Sequence, residues 1–114
     1  MKEIKAFIRQ HRIANVLQAL RDLKLADISY HNITVSQVQR PLASEDPAQQ
    51  HYSLDLAEAV VSEYQLDLVC TDEVADELIG AITTAAHTGL PDAGWIFVSE
   101  VTKAIEIQIG RAHV

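Results

Sequence analysis

Two stretches of alternating and helical periodicity, repeated in the same order, constrain this 114-residue chain more than any other feature. Lys2 to Arg9 alternates, with Ile4, Ala6 and Ile8 on one side and Lys5, Phe7 and Arg9 on the other, as a strand with one buried face does. Ile13, Val16, Leu17, Leu20 and Leu23 then follow at helical spacing, predicting an amphipathic helix over about 12–24. Residues 25–32 are a connection, and Ile33 to Gln39, rich in β-branched residues, reads as a second strand. The pattern restarts at Tyr64–Cys70, a clear strand. It continues through a helix with Val74, Leu78, Ala81, Ile82 and Ala85 inward, Thr71 at its N-cap and Gly89 as its stop. A strand over Gly94–Val98 closes this half, and Ile105, Ile107 and Ile109 alternate in a fifth strand. Strand, helix, strand, twice over, leads to an α+β ferredoxin-like βαββαβ sandwich with an extra C-terminal strand. Both helices then cover one sheet face. Phe7, Val38, Val69, Trp95 and Phe97 are left for the other face, which a second copy of the chain would cover.

Between the halves lies a long loop, about 40–62, with Pro41, Pro47 and several acids. Tyr52, Leu54 and Leu56 stand out on it as apolar residues. Two roles are open to them: anchors for a protein partner, or an extension of strand three against a neighbouring subunit. The whole of 1–114 is expected to be one domain.

The charge distribution sorts function classes. The net charge is −7, and residues 41–102 hold twelve Asp or Glu and no Lys or Arg. A nucleic-acid partner is not expected of such a chain. The apolar runs fall far short of the ~20 residues that insert into a bilayer, and the opening MKEIK carries no apolar leader, so the protein is expected in the cytoplasm. Cys70 is the lone cysteine and reads as a core residue. With no GxSxG, Walker A or GxGxxG element, an enzyme is not expected. No two histidines lie three or four apart, and His51, near Asp46, Asp55 and Glu58, is the one weak candidate for a divalent metal. Thr88-Gly89 through Gly94 is a turn that could expose backbone amides to an anion, or simply a helix stop.

With these residues in view, the chain resembles the PII signal-transduction family, the nitrogen regulatory protein P-II group, over nearly its whole length. MKEIKAFIRQHRIANVLQAL resembles that family's first strand and helix, ITVSQVQ its second strand, and AHTGLPDAGWIFVSEVTKAIEIQIG its TG-x-x-G-D-G-K-I-F-V block and last strand. The resemblance implies a ferredoxin-like homotrimer that senses a small-molecule effector in clefts between subunits. It also implies a long loop that docks on a protein target, a transporter or an enzyme. Thr34, Thr88, Gly89 and Gly94 match positions lining the family's ATP/ADP cleft. At four of its cationic positions this chain carries Trp95, Glu106, Gln108 and Glu63. The resemblance therefore implies a divergent PII-like regulator with the usual nucleotide-binding cations largely replaced. An association with metal efflux fits the acidic stretch by analogy. The alternative is a CutA-like trimer that binds divalent metal ions on the same fold. The sequence leaves the ligand and the target unidentified.

Overall fold

The computed structural model describes residues 1–24, 30–41, 50–89, 94–107 and 112–113. Strand β1 (Lys2–Arg9) is followed by a single 3-10 turn, Gln10–Arg12, and helix α1 (Ile13–Asp22). Strand β2 (Tyr30–Pro41) comes next, then β3 (Gln50–Ser53) and β4 (Glu58–Cys70). Helix α2 (Asp72–Ala86) leads to β5 (Trp95–Glu100), and Ala104–Ile105 (β6) pairs with Ala112–His113 (β7).

The main sheet runs β2-β4-β1-β5, antiparallel at each of these pairings. Leaving out β3, which joins β4, that is the strand order of a ferredoxin-like sandwich, as expected. Side chains directly opposite one another share a face. Ile4, Ala6 and Ile8 therefore project with Leu66 and Leu68, and these pack with Val16 and Leu20 of α1 and with Ala75, Leu78 and Ile82 of α2. Each of these helix residues recurs at a spacing of three or four, so each helix buries one stripe. The two helices are tied end to end: Arg12 Nε donates to the Ala85 carbonyl at 2.9 Å. Positive charge at the C-terminal end of α2 also suits that helix's dipole.

The opposite sheet face carries Phe7, Val38, Val69, Trp95 and Phe97, as the alternation predicts. Trp95 and Phe97 stack with ring centroids 6.2 Å apart, Phe97 meets Phe7 edge-on, and both β5 rings stay about half exposed.

Three expectations need correction. Residues 50–53 and 58–62, placed in the 40–62 loop with an extension of strand three left open for its second half, are strand, and 42–49 lie outside the described residues. β2 occupies one edge of β4 as far as Val60, so β3 pairs along the other, beyond the end of β1. Val60 and Val61, gripped on both sides, are fully buried, which orders this part of the hairpin. The extra C-terminal strand is only Ala104–Ile105; Ile107 is almost wholly exposed beyond it, and Ile109 lies outside the described residues. Thr71 holds the N-cap position of α2, but its hydroxyl makes no capping bond; Val74 N–H bonds the Thr71 carbonyl instead.

The β3–β4 hairpin closes through a turn in which Ser53 Oγ accepts from Leu56 N–H at 3.2 Å and donates to Gln39 Oε1 at 3.3 Å. Amide exchange is expected to divide along this line. Val60 and Val61 should exchange slowly and Leu54–Ala57 quickly. Equal, fast exchange across 50–62 in mass spectrometry would mean the hairpin is not formed in solution.

Candidate functional site

The turn that follows α2 starts where the helix ends. His87 leaves the helical region, and Gly89 follows at φ 79°, a left-handed conformation that side chains resist. Residues 90–93 lie outside the described residues. Gly94, at φ 110°, lets the chain cross β1 closely: a Cβ there would stand 3.4 Å from the Phe7 carbonyl oxygen. Gly94 and Trp95 border a cavity of about 380 Å³ between α2 and β5, lined mainly by apolar groups including Ile79, Ile82 and Val98, together with Thr83 and His87. Thr83 spends its hydroxyl proton on the Ile79 carbonyl at 2.8 Å.

A second cavity, about 510 Å³, lies between the sheet and the C-terminal segment, where Asn32, Val69, Ile105 and Glu106 meet Met1. Asn32 has a left-handed backbone (φ 55°) at an irregularity in the β2–β4 register between His31 and Thr34. Thr34 is exposed, two residues on and opposite Asp67. Of the residues that sequence reasoning gathered into one cleft, Gly94 and Trp95 thus line one cavity and Glu106 the other within a single chain. Thr88 and Gly89 stand at the end of α2, and Gln108 lies outside the described residues.

Tyr52, Leu54 and Leu56 project from the β3–β4 hairpin, with Leu54 87% exposed. His51 is exposed beside them in an open cleft with Gln37, Gln39 and Ser62. Among the described residues no three His, Cys, Asp or Glu side chains gather as a metal site. Cys70 is fully buried, and burial pushes its thiol pKa up, as befits a core residue.

Sequence reasoning did not foresee a charged cluster at the base of the hairpin. Arg9 ends β1 directly opposite Glu63 of β4, both on the face away from the helices. Arg9 Nη1 lies 3.2 Å from Glu63 Oε2, and Arg40 Nε of β2 lies 3.1 Å from Glu63 Oε1. Glu63 is 0% and Arg9 1% exposed, whereas the Arg40 side chain is 31% exposed and its guanidinium sits 6.0 Å over the Phe7 ring. Neither carboxylate oxygen makes an aligned hydrogen bond; the charges meet by proximity. The available signal was an acid two residues after the apolar pair Val60-Val61 and directly before Tyr64, on a strand otherwise being buried.

At the other end of the sheet the Met1 ammonium pairs with Asp72 Oδ1 at 2.9 Å. Hydrogen bonding to that ammonium lowers the Asp72 pKa, and the same bond raises that of the ammonium. A depressed carboxyl pKa stabilises the fold above the ordinary carboxylate range and stops doing so as pH falls through the folded value. Asp72→Asn is therefore expected to lower the melting temperature slightly at pH 7. That deficit should vanish on acidification well below pH 4, the ordinary carboxylate range. A deficit that persisted there would assign the effect to packing.

With this geometry in hand, the family follows. The family model for nitrogen regulatory protein P-II matches residues 1–111, and the chain belongs to that family of regulatory signalling proteins. It is similar to nitrogen regulatory protein GlnK2 of Haloferax mediterranei, 28% identical over 97% of this chain and 86% of the relative. It is also 28% identical to nitrogen regulatory protein P-II of Bradyrhizobium diazoefficiens and 26% identical to GlnK of Escherichia coli K12, each over 98% of this chain and 96% of the relative. These matches support the regulatory reading and lend nothing to the CutA-like alternative. No helix among the described residues is long and apolar enough to cross a membrane.

Proposed function

We propose that the protein is a divergent P-II regulator that works as a homotrimer in the cytoplasm. It senses a small effector where subunits meet and controls a transporter or enzyme through the β3–β4 hairpin. The observation that carries this reading is the family match across residues 1–111. The sheet face left bare by the helices supports assembly: Phe7, Trp95 and Phe97 form one aromatic cluster on it, a poor surface to leave in water. The division of the candidate residues between two cavities supports a site completed by a neighbour, with Thr34, Thr88, Gly89, Gly94, Trp95, Glu106 and Gln108 contributed from different chains. On the hairpin, Tyr52, Leu54 and Leu56 offer apolar anchors among the acids Asp55 and Glu58, which suits a target pocket with a basic rim. The reading assigns no catalytic group and no resident metal.

Light scattering on the purified chain tests the assembly first. A mass three times that of the 12.6 kDa chain is expected at micromolar concentration, and a monomer mass would remove the inter-subunit site. Leu54→Asp with Leu56→Asp should leave that mass unchanged while abolishing capture of the target. A double variant that still bound its target would move the docking surface off the hairpin.

A further inference from the structure

We propose that Glu63 is a built-in ligand: its carboxylate fills a carboxylate-binding cradle made by Arg9 and Arg40, and that cradle accepts a free small carboxylate once the side chain is removed. The inference rests on the cluster's geometry and stands independently of the regulatory reading. Two guanidinium groups from different strands converge on the two oxygens of one carboxylate, at 3.2 and 3.1 Å. Arg9 and Glu63 are shut off from solvent, so each charge depends on the others. The Arg9 Nε and Nη1 atoms and both Glu63 oxygens still lack aligned hydrogen bonds, although buried. A tethered carboxylate is held where its backbone permits; a free one can turn until the donors align.

The cradle's position gives it a task. Arg9 is the last residue of β1, Arg40 the penultimate residue of β2, and Glu63 lies in β4 two residues from Val61, which pairs with Gln50 of β3. The one carboxylate therefore ties the ends of β1 and β2 to the middle of β4 at the root of the hairpin. Arg40 reaches across β4 to it, its guanidinium resting over Phe7 of β1. Because the anion belongs to the chain, the root of the hairpin is set whether or not any anion is dissolved around it.

Glu63→Ala removes a methylene and a carboxylate, a fragment of the size and charge of acetate. The variant is expected to melt more than about 10 °C below the wild type, since the buried Arg9 loses the carboxylate facing it. Amide exchange should quicken at Gln50–Ser53 and Glu58–Ser62 before it does in α2. Acetate or formate should then raise the variant's melting temperature by several degrees with saturation, and slow exchange at those amides again. Benzoate, too large for the vacancy, and chloride at equal ionic strength should not. Glu63→Gln, which keeps the volume, should be destabilised yet unresponsive to acetate. A Glu63→Ala chain too unstable to fold alone would be read by whether acetate folds it. The proposal is overturned if acetate does no more than chloride, if it acts equally on the wild type, or if Arg9→Met/Glu63→Ala responds as fully as Glu63→Ala.

Discussion

Arg9→Met is expected to destabilise the protein by about 3–5 kcal/mol, the range found when one partner of a buried ion pair is removed. The cause is the carboxylate left behind. Glu63 is 0% exposed, and without Arg9 its remaining described counter-charge is Arg40, itself partly in water. Exposed pairs on the same protein offer the contrast: the Gln18, Arg21 and Asp22 side chains on the outer face of α1 should each be worth well under 1 kcal/mol. Urea unfolding followed by circular dichroism reads the difference directly. A loss below about 1 kcal/mol would show that water reaches Glu63. Replacing both members, as Arg9→Met/Glu63→Met, should recover much of the stability, because apolar groups of similar volume leave no charge to solvate.

Binding of ATP is expected to be at least about 100-fold weaker than low micromolar, as the loss of two charged contacts of about 1.5–3 kcal/mol each requires. Trp95, Glu106, Gln108 and Glu63 stand at positions where the resemblance expects cations. Of the chain's few basic residues, Arg9 and Arg40 are engaged with Glu63. Arg9 is buried as well, out of a phosphate's reach. Calorimetry with magnesium and ATP checks this, and a dissociation constant in the low micromolar range would mean that other groups, backbone amides of the 88–94 turn foremost, replace the missing charges.

How far the sequence could be read depended on whether a residue's fate is decided locally. The alternation of Ile4, Ala6 and Ile8 and the spacing of Leu78 and Ile82 are local facts, and they placed β1 and α2 to within a residue or two. The hairpin is different. Gln50–Ser53 is short and polar, and it becomes strand because β4, already fixed between β1 and β2, offers it an edge beyond the end of β1; Glu58–Ser62 is the outer end of β4 itself. Their order is thus imposed from a distance. The end of the chain differs in the opposite way: Ile105 and Ile107 keep the alternation, but among the described residues there only Ala104–Ile105 pairs, with β7, and Ile107 stands exposed. At the candidate site, single residues such as Gly94 and Trp95 were legible from their turn. The meeting of Arg9, Arg40 and Glu63 was not, because it joins three strands through a register that no local pattern records.

β4 runs unbroken for thirteen residues, from Glu58 at the hairpin to Cys70 in the core. At about 3.3 Å per residue, the hairpin end stands some 25 Å from Leu66, at the centre of the packed layer. Its hairpin end, Glu58–Ser62, is held by β2 and β3 but lies beyond β1, so the three strands project together as one arm. A small tilt of the half where Leu66 and Leu68 press on the helices is magnified at the hairpin end. A load on Leu54 and Leu56 is returned to the same core as torque. The hairpin is therefore a stiff extension of the sheet, carried on the same strand that presents Leu66 and Leu68 to the helices.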